Sequence, residues 1–134
     1  MDKQVLLRQL RALEYDITEK VSHINLGGCV HFAYFLSKRL RELGIDHKIG
    51  YLHWDKIDMR YKNMSSINHV TVYIDGIGFI DGEEILEHPY TNYKKIERTS
   101  LKKLDYYRKN CQWNPDYDKR QNMLVKNLIY KHIK

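Results

Sequence analysis

A pair of glycines followed by a long amphipathic stripe is the feature that most limits how this chain can fold. Directly after Gly27 and Gly28, apolar side chains recur at helical spacing, at Cys29, Phe32, Ala33, Leu36, Leu40 and Leu43. That spacing predicts a helix with one face turned to a core. Lysine and arginine fall in its last turns, and Gly44 is a natural terminating residue. The sequence therefore predicts a helix that begins at or near Cys29.

Other elements follow from the same periodicity argument. Leu6, Leu7, Leu10, Leu13 and Ile17 predict a first helix over about residues 3–20. Residues 47–54 have the character of a strand, residues 55–66 that of a connecting loop, and residues 67–74 and 77–81 form a hairpin signal split by Asp75-Gly76. Weaker patterns predict helices at about 94–109 and 117–132, separated by a turn over residues 113–116.

Size and composition indicate one compact domain. The chain has 134 residues, of which 43% are hydrophobic, enough for a core. It has no apolar run long enough to span a membrane and no secretory signal. Two cysteines are too few for a disulfide scaffold. We therefore expect a cytoplasmic α+β protein, with N-terminal helices packed on a small antiparallel sheet and a helical C-terminal extension.

Charge is distributed unevenly along the chain. Residues 1–93 hold 11 Lys and Arg against 13 Asp and Glu, whereas residues 94–134 hold 12 against 4, a net charge of +8. We therefore divide the single domain into a core of about residues 1–93 and a basic extension of about residues 94–134. A basic end of this kind favours an anionic partner. The alternative is a solvated helical face without a partner.

The thiol of Cys29 is the first candidate functional group. A cysteine at a helix N-terminus lies near unpaired N–H groups and the positive end of the helix dipole, which favours the thiolate. The glycines at 27 and 28 let another chain approach the sulfur closely, and N–H groups at the helix start suit a developing oxyanion. The alternative is an ordinary buried cysteine at a helix start.

The functional interpretation of His69 and Asp81 depends on their positions in the predicted hairpin. A two-residue turn at Asp75-Gly76 would place them on opposite faces. A three-residue loop over 74–76, with Gly76 in the left-handed conformation, would place His69 directly opposite Asp81. Side chains so paired lie close enough for a carboxylate to orient an imidazole. Taken singly, each residue is more often structural.

The order cysteine, histidine, aspartate predicts a catalytic triad for acyl transfer. Cys29 would be the nucleophile, His69 would remove and return the proton, and Asp81 would orient His69. Such a triad needs no cofactor. A zinc site built from Cys29 and histidines 31, 47, 53 and 69 is disfavoured, because Cys29 and His31 are two residues apart on a helix and cannot face one ion.

The motifs Gly27-Gly28-Cys29, Leu40-Arg41-Glu42-Leu43-Gly44-Ile45, Asn68-His69-Val70 and Phe79-Ile80-Asp81-Gly82 resemble those of the transglutaminase-like superfamily, within the papain-like fold. The resemblance covers about residues 24–86. It implies a thiol hydrolase or acyltransferase acting on peptide, isopeptide or side-chain amide bonds, with Cys29, His69 and Asp81 as its triad. Peptidase, amidase and cross-linking transferase stay open. Papain-like peptidases bind the oxyanion with an upstream amide, for which Asn25 is the candidate here; alternatively Asn25 only caps the chain before the helix.

Two non-catalytic functions remain as alternatives. The first is a basic binding module that binds nucleic acid or an acidic protein through residues 94–134. The second is an enzyme-like fold that has lost its activity and acts through protein contacts. A protein or peptide substrate is the partner that the triad implies, and no membrane partner is expected.

Overall fold

The computed structural model describes residues 2–21, 24, 29–53, 67–87, 93–97, 100–109 and 115–134, with side chains described for all of these except 51–53, 67–69, 93–97, 107 and 115–118. These residues form four helices and one five-stranded antiparallel sheet. The helices are α1 (Lys3–Lys20), α2 (Cys29–Glu42), α3 (Leu101–Lys109) and α4 (Pro115–His132). The strands are β1 (Lys48–His53), β2 (Ile67–Ile74), β3 (Gly78–Ile80), β4 (Ile85–Leu86) and β5 (Tyr93–Glu97).

The first helix has the bounds that its periodicity predicts. The side chain of Asp2 caps α1 by accepting a hydrogen bond of 2.8 Å from the backbone N–H of Gln4. The apolar stripe is buried, at Leu6, Leu10, Leu13 and Ile17. Because the stripe faces the core along the whole helix, α1 lies flat against the rest of the molecule.

The second helix begins at Cys29, as predicted, and ends in a Schellman motif. Gly44 has a φ of 70°, and the backbone N–H of Ile45 donates to the carbonyl of Leu40 at 2.8 Å. The left-handed conformation that this ending needs is one that glycine adopts without steric cost. The short connection that follows returns the chain to β1.

The strands lie in the order β4-β3-β2-β1-β5, and the β2–β3 hairpin differs from the prediction by its loop. Gly76 has the expected positive φ, 83°, but Ile74 pairs with Gly78, so the loop is 75–77 instead of 74–76. Tyr73 consequently lies opposite Phe79, whereas the predicted loop over 74–76 would place it opposite Ile77. The physical reason is Gly78, whose φ of 126° lets the chain enter β3 one residue later.

The predicted helix over residues 94–109 is wrong in its first part. Residues Tyr93–Glu97 form β5, which pairs with the free edge of β1, and the helix α3 begins only at Leu101. Pairing with β1 supplies backbone hydrogen bonds that outweigh a weak local helical preference. The predicted turn over 113–116 also ends sooner, because Pro115 is the first residue of α4, a position that proline favours.

One hydrophobic core joins all four helices to the sheet. Val70, Val72 and Ile74, alternate residues of β2, belong to the same buried cluster as the stripes of α1 and α2. The C-terminal region contributes its own buried side chains to that cluster, at Leu104, Val125, Leu128, Ile129 and Ile133. Residues 94–134 therefore supply one edge of the sheet and part of the core. Within the described part of the chain, no helix combines the length and hydropathy that crossing a bilayer requires.

Candidate functional site

The sheet topology brings two of the three predicted triad positions, His69 and Asp81, to one end of the sheet. The strand β2 is antiparallel to β1 and begins where β1 ends, with His69 among its first residues. The strand β3 is antiparallel to β2 and ends here, just before Asp81. The third position, Cys29, begins the helix α2, which packs on β2.

A close contact joins Ile24 to the residue after Asp81. Gly82 follows Asp81, and Ile24 precedes Cys29 by five residues. A Cβ atom placed on Gly82 would lie 2.4 Å from Cγ1 and 2.7 Å from Cγ2 of Ile24, so the two residues pack with room only for glycine. Ile24 is therefore fixed beside the end of β3.

Cys29 is the first residue of α2 and is a free thiol. Its side chain is 6% exposed and belongs to the hydrophobic core cluster. A ligand would reach the sulfur only through this small exposed fraction or after a local opening. The glycines at 27 and 28 and the oxyanion candidate Asn25 lie outside the described residues.

His69 is placed by its backbone alone, since its side chain lies outside the described part of the chain. It pairs with Leu52 of β1. The predicted pairing of His69 directly with Asp81 is wrong, because the observed hairpin register brings Val72 opposite Ile80. Continued by one residue, that register brings Thr71 opposite Asp81. His69 then lies diagonally across from Asp81 at the same end of the hairpin.

Asp81 is 2% exposed and is held in a tight turn. Its Oδ1 atom accepts hydrogen bonds from the backbone N–H groups of Glu83 at 2.8 Å and Glu84 at 2.9 Å. Its own N–H donates to the carbonyl of Glu84 at 3.0 Å. The carboxylate therefore has a fixed orientation. It stabilises the turn in addition to any contact with a catalytic partner.

Glu14 is a candidate functional residue that the sequence reasoning missed. It lies on α1 with 9% of its surface exposed, and neither carboxyl oxygen has a hydrogen-bond partner within the described residues. Burial, with the nearby charges of Asp81, Glu84 and Glu83, raises its pKa to about 9. Glu14 is therefore a neutral acid at neutral pH. The available signal was its position on the apolar stripe of α1, four residues after Leu10.

Thr71 is a second buried polar residue near this end of the hairpin. It is 1% exposed, and its hydroxyl oxygen has no partner among the described atoms. An unpaired buried hydroxyl is costly. The alternating pattern of this strand in the sequence does not indicate a buried, unpaired hydroxyl at this position.

Of the histidines considered for zinc, His31 and His47 have described side chains, and neither is arranged as a metal ligand. His31 is 1% exposed, and burial, together with the charge of Arg108, lowers its pKa to about 4, so it is neutral. His47 hydrogen-bonds Ser37 at 2.6 Å and the carbonyl of Ile45 at 2.9 Å, beyond the far end of α2 from Cys29. Among the residues whose side chains are described, no three His, Cys, Asp or Glu form a group that could hold a metal ion.

These positions together can support nucleophilic chemistry by a thiol. A strand that carries a histidine and an immobilised carboxylate lie at one end of the sheet, and a buried thiol begins the helix that packs on that strand. Comparison with known proteins adds no family to this geometry: the chain matches no family model, no curated protein and no solved structure.

Proposed function

We propose that this protein is a cysteine-dependent acyl-transfer enzyme that acts on peptide, isopeptide or side-chain amide bonds. The observation that carries the proposal is that the start of β2, which holds His69, and the end of β3, which precedes Asp81, meet at one end of the sheet. Cys29 begins α2, the helix that packs on β2. The α+β architecture agrees with the papain-like fold that the motifs suggest.

In the proposed reaction, His69 accepts the proton of the Cys29 thiol as the sulfur attacks the carbonyl carbon of an amide. The C–N bond then breaks, and His69 returns the proton to the departing nitrogen, which leaves an acyl group on Cys29. Water or an amine attacks that thioester and gives its proton to His69. The C–S bond then breaks, the acid or the new amide leaves, and His69 passes the proton to the sulfur, which regenerates the free thiol.

Asp81 is proposed to hold the imidazole of His69 in the productive orientation. The observed register separates the two residues diagonally across β2 and β3. Diagonal neighbours in an antiparallel pair lie about 7–8 Å apart at Cα, within reach of side chains as long as histidine. The hydrogen bonds from Glu83 and Glu84 to Oδ1 fix the carboxylate beforehand, which favours such a positioning function.

Comparative alkylation of the two cysteines tests the proposal. In a Cys111→Ser variant Cys29 is the single thiol, and in a Cys29→Ser variant Cys111 is. Because an activated thiol reacts faster with electrophiles, we expect native Cys29 to react with iodoacetamide at pH 7 at least tenfold faster than Cys111. We also expect His69→Ala to slow the reaction of Cys29. An activated ester such as p-nitrophenyl acetate should leave a transient acyl group on Cys29, detected by mass spectrometry.

The matched control for Asp81→Asn is Asp75→Asn, since Asp75 lies in the exposed loop of the same hairpin. The control should leave the alkylation rate of Cys29 unchanged, whereas Asp81→Asn should reduce it. Alkylation of Cys29 no faster than Cys111, or a rate insensitive to His69→Ala, would show that no triad operates.

A further inference from the structure

Cations dominate the end of the chain from the second turn of α4 onward. The helix begins with two acidic residues, Asp116 and Asp118, but from residue 119 to residue 134 the sequence contains five lysines and arginines and no acidic residue. They are Lys119, Arg120, Lys126, Lys131 and Lys134.

Packing decides which side of α4 these cations occupy. The apolar face of the helix packs in the core, where Val125, Leu128, Ile129 and Ile133 are buried. Lys119 and Arg120 are exposed, and Lys126 is half-buried. We call Lys119, Arg120 and Lys126 the cationic face of α4.

The helix dipole does not account for these three residues. Lys131 lies in the last turn, where a cation interacts favourably with the helix dipole, and it also lies 3.7 Å from Asp16. The cationic face lies in the first half and middle of α4, where the dipole does not stabilise a cation. Because Lys119 and Arg120 are exposed and Lys126 is half-buried, an anion in solution can reach these charges.

The chemistry of the cationic face favours a phosphate backbone over a protein or a membrane. Lys119 and Lys126 are separated by about 10 Å along the helix, the axial length of about three phosphate-to-phosphate steps of one strand. Interfaces between proteins are depleted of lysine and centre on aromatic or apolar side chains, but Met123 is the single large hydrophobic residue exposed on the described part of α4. Insertion into a membrane would need the apolar face that the core already occupies.

We propose that the cationic face of α4 binds nucleic acid through its phosphate backbone, without reading its sequence. This inference does not depend on the proposed thiol chemistry, because Cys29 and the cationic face lie on different elements. Binding of this kind releases condensed counterions, so affinity should fall steeply with salt.

Fluorescence anisotropy of a labelled duplex of random sequence tests the inference, with the full chain titrated at several salt concentrations. The test variant is Lys119→Gln, Arg120→Gln and Lys126→Gln. Its matched control is Arg8→Gln, Arg11→Gln and Lys48→Gln, which removes the same charge from exposed positions elsewhere. We expect the test variant to bind at least tenfold more weakly at about 0.1 M salt, with a salt slope shallower by about 3. The control should bind as the wild type does, and thermal melting should confirm that both variants are folded.

Three outcomes would overturn the inference. The first is no binding of the wild type even at low salt, and the second is equal weakening by both triple variants, since total charge would then suffice. The third is stronger binding to polyglutamate or to anionic vesicles than to the duplex, which would assign the cationic face to an acidic protein or to a membrane surface. Failure of this test leaves the alkylation result for Cys29 unaffected, so the two proposals fail separately.

Discussion

At the scale of single residues, Glu14 is the side chain most at odds with its surroundings. A carboxyl group buried without a hydrogen-bond partner is normally retained only as the neutral acid, because desolvation penalises its charged form. The acidic turn at residues 81–84 adds electrostatic repulsion against ionisation. Folding therefore holds a proton on Glu14 that the unfolded chain releases at neutral pH.

The first prediction is a pH dependence of stability that Glu14 causes. Its pKa is about 9 in the folded protein against an ordinary value of 4.5. The contribution of Glu14 to the free energy of unfolding is therefore greatest below pH 4.5, and this contribution is lost as the pH rises towards 9. In Glu14→Gln we expect this decline, on the order of 1 kcal/mol per pH unit, to disappear. Urea denaturation of both proteins at pH 6.5 and 8.5 measures it.

The pH range is chosen so that His31 does not contribute, since its folded pKa of about 4 affects stability only below about pH 6.5. Glu19→Gln is the matched control, because Glu19 is exposed on the same helix. A Glu14→Gln protein with the same pH dependence as the wild type would mean that Glu14 is ionised in the fold.

At the scale of elements, glycines set where β2, β3 and α2 begin and end. Gly44 and Gly78 both have positive φ values, 70° and 126°, but their surroundings differ. A Cβ atom on Gly44 would meet nothing within 4 Å, whereas one on Gly78 would lie 2.2 Å from the carbonyl oxygen of Leu86. Gly44 is thus required by conformation alone, and Gly78 by conformation and by the close approach of β4.

The second prediction compares alanine substitutions at these two glycines. Gly44→Ala should destabilise the protein by about 1 kcal/mol, the cost of a left-handed conformation for a residue with a Cβ. Gly78→Ala should cost at least about 3 kcal/mol, because the backbone of β4 must also move. Chemical denaturation measures both. Equal losses would contradict the tight pairing of β3 with β4.

The elements also show what the sequence could and could not predict. Helices α1 and α2 follow from their apolar spacing, because a long periodic stripe has few alternative structures. For residues 94–97 the sequence predicts a helix instead of the observed strand, because a short charged strand at a sheet edge has no local pattern of its own and depends on its pairing with β1. The predicted hairpin loop differs from the observed one by one residue, because Gly76 and Gly78 both have positive φ values. The position of Glu14 on the apolar stripe indicates burial, but the acidic turn at 81–84, which adds to its pKa shift, lies far along the chain.

At the scale of the whole molecule, the C-terminal region is part of the fold. β5 covers the outer edge of β1, and α4 packs against α1 and α2. The guanidinium of Arg39 in α2 donates a hydrogen bond of 2.7 Å to the carbonyl of Ile133 and stacks on the ring of Tyr130. The exposed cations of α4 are thus held on the same folded body as Cys29.

The third prediction tests this integration. Ile129 is fully buried and Met123 is 57% exposed on the same helix. Ile129→Ala should destabilise the whole protein by about 2–5 kcal/mol, whereas Met123→Ala should change its stability by no more than about 0.5 kcal/mol. Thermal or urea unfolding, followed by a signal from the sheet, measures both. A negligible loss in Ile129→Ala would mean that α4 is only an appendage.

The burial of Ile133, with 0% of its surface exposed, has a consequence for synthesis in the cell. The core stays incomplete until the ribosome has released that residue, by which time both N-terminal helices and the edge of β1 have long been outside the exit tunnel. The nascent chain must therefore wait with apolar surface and an unpaired strand edge exposed.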